Sequence, residues 1–241
     1  MSFAARTYRL HRWLGWVVGV QVLLWVLGGA VFALLPFDDW VKQKHTVPAP
    51  KAVLPAGWGA ALAPALAALD GPAQALTAVA TPQGVALRVQ RAGQPPLLLP
   101  ADGRPWVAPD AAAVARFAAT LHTGGAAVQQ VQRLAQAPQR LGIVNEVPGR
   151  QDLWRVDYAD APGTRAYFDG PTGQFLAART EAWVWYDFFF RLHVMDYSGG
   201  EDFNNTLLRV AAVLALGLVL AGTVLGVRAG WRQLRRAFQR A

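Results

Sequence analysis

Two long apolar runs bracket this chain, and the polar pattern between them is of a different kind. Trp13 to Leu35 carries no charge and one polar side chain, Gln21. Val210 to Val227 is likewise uncharged, with Thr223 its only polar side chain. At about 1.5 Å of rise per residue, the first run exceeds a hydrocarbon core of roughly 30 Å, and the second reaches it when Leu207 and Leu208 join. Lipid offers no partner for a free backbone N–H, so both runs are expected as transmembrane helices, over 13–35 and 207–227. The first run is too long for the apolar region of a secretory signal, and no A-x-A cleavage site follows it.

Between the runs the periodicity alternates between helix and strand. Residues 36–57 form a linker, proline-rich from Val47 onward. "WGAALAPALAAL" (58–69) has helical composition, interrupted by Pro64. "QALTAVATPQGVALRVQR" predicts two strands joined at Pro82-Gln83-Gly84, and "PLLLPADGRPWV" a further hairpin turning at Asp102-Gly103. The same order then recurs. Residues 110–121 predict a helix capped by Asp110, with Val114, Phe117, Ala118 and Leu121 on one face. "AAVQQVQRLAQA" fits strand and helix equally well. "DLWRVDYAD" and "TRAYFDGPTGQFLAART" read as strands, the latter pair turning at 169–173. The segments 58–109 and 110–182 are thus expected to be two copies of one helix-then-hairpin unit. The predicted fold class is a membrane protein with two transmembrane α-helices flanking an α+β extracytoplasmic domain of antiparallel sheet.

Charge fixes the orientation. The chain has 241 residues and a net charge of +8. Arg6, Arg9 and Arg12 lie before the first run, and Arg228, Arg232, Arg235, Arg236 and Arg240 after the second, with no acid in either segment. These eight arginines equal the whole net charge, so the middle of the chain is neutral. By the positive-inside rule both termini are cytoplasmic and residues 36–206 lie outside. The basic character is a topology signal, and no nucleic-acid partner is expected. The lipid bilayer is the partner implied, with the tail 228–241, whose Trp231, Leu234 and Phe238 fall near one face, lying along the inner leaflet. Heavy use of alanine and arginine with little lysine points to a bacterial inner membrane and a periplasmic central domain. Cysteine is absent, which excludes disulfides, zinc–thiolate and cysteine-ligated iron–sulfur sites, and covalently attached haem.

Residues 153–180, "LWRVDYADAPGTRAYFDGPTGQFLAART", resemble the end of a PepSY domain, a tryptophan-containing strand followed by a Y-x-D-x-x-T-G-x-x-L hairpin. Trp154, Tyr167, Asp169, Thr172, Gly173 and Leu176 occupy those places. "YRLHRWLGWVVGVQVLLWVLGGAVFAL" resembles the first helix of PepSY-associated transmembrane proteins, and "WYDFFFRLHVMDYSG" their "LH" segment. The two helix-hairpin units are then expected to be PepSY-like. Larger members of that family have four spans, and some resemble inner-membrane reductases of iron uptake that carry haem b. The resemblance therefore implies haem b as cofactor, and electron transfer to iron or a siderophore outside the membrane, with siderophore-uptake components as partners. The other reading is a non-enzymatic, membrane-anchored module that binds or regulates a peptide, a protease or a transport partner.

Two histidines stand where a membrane cofactor could use them. His11, Gly15 and Gly19 share a helix face, and Gly222, Gly226 and Gly230 form a similar stripe on the second run. Two accounts are open: close packing of two helices or two protomers with His11 as an interfacial polar residue, or a porphyrin edge between the stripes with His11 Nε2 as axial ligand. His193 lies in the aromatic segment 183–206, whose rings form an interfacial belt. It is either hydrogen-bonded to a carboxylate in an anchor, or an outer haem ligand oriented by Asp187 or Asp196. One chain supplies one such histidine per membrane side, so a bis-histidine site needs a homodimer or a membrane redox partner. His45 and His122 are expected to be solvated, as are the carboxylates of the central domain, scattered among arginines. No nucleophile elbow, H-E-x-x-H, P-loop or dinucleotide fingerprint is present.

Overall fold

The computed structural model describes residues 3–34, 36, 41, 45–200 and 202–239. Leu35, most of the segment 37–44 and Arg240, and with them the end of the first span, most of the start of the linker and the last tail arginine, lie outside the described residues. The chain forms two compact units, one of residues 1–35 and 186–241 and one of residues 36–185.

The first unit contains two helices long and apolar enough to cross a membrane, α1 (Phe3–Leu34) and α5 (Thr206–Phe238). On α1, His11, Leu14, Val18, Gln21, Trp25, Gly28 and Phe32 are all buried or half-buried. They recur at steps of three and four, the spacing of a helix–helix seam. The two helices run antiparallel. A side chain at Gly217 would meet Leu14 at 3.4 Å, one at Gly15 would meet Leu218 at 3.9 Å, and Arg228 lies over the Phe3 ring at 4.7 Å. Lipid supplies no hydrophobic drive for this pairing, which leaves close packing and interhelical hydrogen bonds to hold it. α5 starts at an Asn205 cap, whose side chain accepts from Leu208 N–H at 2.8 Å. It then continues without a break through the arginine-rich tail to Phe238.

The second unit holds two antiparallel sheets. The first follows α2 (Trp58–Ala67) and has the order β1 (Ala73–Thr81), β2 (Gly84–Arg91), β3 (Leu97–Pro100). Leu62 of α2 packs on Leu87 and Val89. The expected partner strand after Asp102-Gly103 does not form, and residues 103–110 run as coil. Pro105 and Pro109 lack an N–H for a ladder, and Trp106 instead donates to Pro171 O at 3.3 Å. The second sheet follows α3 (Ala111–Leu121) and has the order β4 (Val128–Gln136), β5 (Gln151–Tyr158), β6 (Arg165–Asp169), β7 (Phe175–Arg179). Asp110 caps α3 as expected, accepting from Ala113 N–H at 2.7 Å. Val114, Ala118 and Leu121 are buried against Trp154, Val156 and Phe168. Each half is thus one helix followed by an antiparallel meander, of three strands and then of four.

Both faces of the second sheet are covered. Leu153 and Tyr167 point away from α3 and pack with Ala137, Val147 and Ala177 under the 137–150 segment. Val47, placed in the linker by its proline-rich surroundings, belongs to the α3 core, and Thr123 N–H donates to Thr46 O at 2.9 Å. The sheets meet at the β6–β7 turn, where Gly173 (φ +64°) sits so close to Pro82 that a Cβ would come within 2.5 Å.

Helix α4 (Glu181–Val194) carries the aromatic segment. It ends at Met195, which takes a positive φ of 54° where glycine is usual.

Candidate functional site

The membrane unit positions two histidines by different means. His11 lies on the seam of α1, with Nδ1 3.0 Å from Leu218 O on α5. A carbonyl oxygen only accepts, so Nδ1 carries a proton, and in the neutral ring Nε2 keeps its lone pair. Gly222, one turn beyond Leu218, makes room for the ring: a Cβ there would meet His11 Cε1 at 2.9 Å. The structure therefore brings His11 together with Gly222. It does not set Gly15 and Gly19 against Gly226. In the antiparallel register Gly15 faces Leu218, while Gly19, Gly226 and Gly230 have nothing within 4 Å of a Cβ. The glycine stripes follow one another along the pair, and the gap expected between them is taken by the histidine ring. The remaining glycines leave bare backbone on the outside of the pair.

His193 sits in the last turn of α4 against Trp25, Gly28 and Phe32 of α1. Its ring centroid is 6.1 Å from that of Trp25 and 6.0 Å from that of Phe32, and a Cβ on Gly28 would lie 3.8 Å from His193 Nδ1. The final carbonyls of α4 have no intrahelical donors. Gln21 Nε2 donates to Leu192 O at 3.2 Å, Trp25 Nε1 to His193 O at 2.8 Å, and Asn205 Nδ2 to Val194 O at 2.9 Å. Gln21, the one polar side chain of the first apolar run, thus caps a neighbouring helix. His193 Nδ1 is buried and has no hydrogen-bond partner among the described residues.

Both carboxylates considered for orienting His193 are engaged elsewhere. Asp187 pairs with Arg191 at 2.6 Å. Asp196 accepts from Ser198 N–H and hydroxyl and from the N–H groups of Gly199 and Asp202. The Asp202 bond leads the set of donors that holds the Asp196 carboxyl far below its ordinary range, against the effect of its own burial. Arg191 is itself buried and packs so tightly on Gly200 that a Cβ would meet its Cζ at 2.7 Å.

Counted along α1, His11 and Gly28, the neighbour of His193, are separated by about 25 Å of helix. The two histidines of one chain cannot ligate one iron from both sides. Among the described residues no three His, Asp or Glu side chains converge on a metal position. What His11 offers is one imidazole nitrogen with its lone pair free and its ring held, the arrangement a haem ligand requires.

The central domain departs from the expected solvated surface in two places. His122 is buried and packs tilted against Tyr158, with ring centroids 4.9 Å apart. Its Nδ1 accepts from Ala126 N–H at 3.2 Å, so Nε2 carries the proton toward Asp160 at 3.1 Å. Burial raises the Asp160 carboxyl, but the Thr164 and His122 hydrogen bonds outweigh that and hold it below its ordinary value. Glu146 is fully buried and accepts from Arg165 and from the Tyr167 hydroxyl. Arg165 also donates to Glu181 at 2.6 Å. Burial lowers the Arg165 guanidinium, yet Glu146 and then Glu181 raise it on balance, and burial foremost pushes the Tyr167 phenol up. Neither group was recognisable from spacing, because Glu146 lies in a loop and meets Arg165 only through the fold. His45 is exposed, as expected.

A groove of about 430 Å³ opens beside β3 and β7, lined among others by Arg88, Leu98, Arg150, Gln174 and Phe175. No curated protein and no solved structure matches the chain. The family described as the PepSY-associated TM region matches residues 8–241. That span includes the apolar stretches of both long helices, His11 and His193, and the whole central domain, and the chain belongs to this family of PepSY-associated transmembrane proteins.

Proposed function

We propose that this chain is an inner-membrane electron-transfer protein whose His11 Nε2 would hold the iron of haem b on the cytoplasmic side. A second copy of the chain would supply a second histidine. The observation that carries the reading is the His11–Leu218 contact of 3.0 Å, which fixes the tautomer and leaves Nε2 bare. Gly222 gives the ring its place, and the uncovered glycines Gly19 and Gly226 leave backbone open to a flat group or a second helix pair. His193, whose buried Nδ1 has no hydrogen-bond partner among the described residues, would be the corresponding ligand on the periplasmic side. When bound, haem b supplies a one-electron carrier. The chain's own residues orient the ligand nitrogens, exclude water with the aromatic rings around His193, and hold the two sites on opposite sides of the membrane. The reaction served is the reduction of ferric iron or a ferric siderophore in the periplasm, with both termini cytoplasmic.

The test is a reduced-minus-oxidised spectrum of the full chain in detergent after haem supplementation. Bands of b type are expected, with part of the signal lost in His11→Ala and part in His193→Ala. A spectrum without such bands refutes the reading. One observation favours a second function, that of a non-enzymatic binding module. The central groove has two arginines, Arg88 and Arg150, beside the apolar Leu98 and Phe175, and its one acid, Asp169, accepts hydrogen bonds from Thr172, a lining suited to an acidic peptide or transport partner. Haem-free protein that retains a peptide through Arg88 would decide for it.

A further inference from the structure

At the end of the helix pair where α1 begins and α5 runs on past its apolar stretch, a groove of about 440 Å³ is lined by Ala4 of α1 and by Leu225, Arg228, Trp231, Arg232 and Arg235 of α5. Leu225, Arg228, Arg232 and Arg235 follow at steps of three and four and so share one face. Two of the arginines are held in place. The Arg228 guanidinium lies over the Phe3 ring at 4.7 Å, and Arg232 Nε donates to Arg228 O at 3.3 Å, leaving the terminal nitrogens of Arg232 for the groove. Neither helix carries an acid along its length. Asp202 is the last one, before α5 begins, and from Thr206 to Arg228 the helix rises about 33 Å. No acid precedes Asp38, beyond the far end of α1. Three guanidinium groups thus line one groove beside an apolar wall, with no carboxylate on either helix to neutralise them.

We propose that this groove is a binding site for the phosphate of an anionic phospholipid. Arg228, Arg232 and Arg235 donate to the phosphate oxygens, Trp231 lies at the level of the glycerol esters, and an acyl chain follows Leu225 toward the apolar part of the pair. The apolar wall selects lipid over free phosphate. Ala4 and Leu225 continue into lipid-facing helix surface, which adds to the binding of an acyl chain and adds nothing to an inorganic anion. The site differs from a diffuse basic tail because its arginines are fixed on one face and share a groove with α1. Each basic residue near an anionic surface contributes about fivefold, so three predict a preference on the order of a hundredfold over zwitterionic lipid.

The experiment uses the full chain, delipidated in detergent and offered equimolar phosphatidylethanolamine and phosphatidylglycerol, with bound lipid counted by native mass spectrometry. Phosphatidylglycerol is expected to be retained by the unaltered protein, lost from the combined Arg228→Gln, Arg232→Gln, Arg235→Gln variant, and kept by a control of equal charge loss, Arg6→Gln, Arg9→Gln, Arg236→Gln. Excess inorganic phosphate should leave it bound. Equal retention of the two lipids by the unaltered protein overturns the proposal. So does equal loss from both variants, which marks a diffuse attraction, and so does displacement by phosphate, which marks a soluble-anion site. The selectivity and phosphate arms need no variant and decide the matter even if the triple variant misfolds.

Discussion

Replacing Gly222 with alanine tests whether the helix pair sets the chemistry of His11. The added Cβ would stand 2.9 Å from His11 Cε1 and 3.4 Å from Nδ1. Carbon atoms rest about 3.5–4.0 Å apart, so the ring must move by about 0.6–1 Å. Such a displacement carries Nδ1 from 3.0 Å to beyond hydrogen-bond reach of Leu218 O. The energies nearly cancel. Loss of an interhelical hydrogen bond in a membrane costs about 0.6 kcal/mol on average and at most about 1.7. Glycine to alanine in a helix returns about 0.8–1.0 kcal/mol. Net stability should therefore change by less than about 1 kcal/mol while the tautomer preference of the ring disappears. ¹⁵N spectroscopy of selectively labelled histidine reads this directly. The unaltered protein should show a protonated Nδ1 and a bare Nε2 at His11, and Gly222→Ala a mixture. An Nε2–H tautomer in the unaltered protein, or a spectrum unmoved by the substitution, would refute the reasoning.

Other consequences are as concrete. Glu146→Ala strands the buried Arg165 and Tyr167 hydroxyl and should destabilise the central domain by about 3–5 kcal/mol in denaturant titrations of the full chain, with Glu146→Gln costing less. Gly173→Ala combines a left-handed backbone with a 2.5 Å approach to Pro82, and should cost about 2–4 kcal/mol by thermal melting. Asp160 and Glu181 both ionise below their ordinary range in the folded chain. The native state therefore binds fewer protons than the unfolded one, and this stability is complete above about pH 4.5 and lost as pH falls through the lowered folded values. Asp160→Asn should remove part of that acid limb, seen as a shallower decline in melting temperature below pH 4.5.

The spans were legible because composition alone decides them. The helix α3 and the strands β1, β2, β5, β6 and β7 were legible because periodicity and turn residues agreed. β4 was not, because its register shifts between Val128 and Gln130. That irregularity puts Val128 and Val131 three apart on the pattern and mimics a helix. Val47 was unreadable as core because its proline-rich surroundings describe a linker and its burial depends on α3. His11 and Gly222 could each be singled out, but their meeting depends on the register of two helices far apart in sequence. The contact between His193 and Gly28 had no local signal, for the same reason.

The bond between His11 and Leu218 spans 207 residues of sequence. A ribosome adding about 5–20 residues per second needs roughly 10–40 s to travel that far. During that interval α1 has already entered the bilayer, and its imidazole has no carbonyl to choose between its two nitrogens. The ring acquires a defined tautomer only when α5 arrives, after the whole central domain has been made. A chain truncated before Leu218 would therefore lack the contact that selects the bare Nε2, and its imidazole would remain a mixture of tautomers.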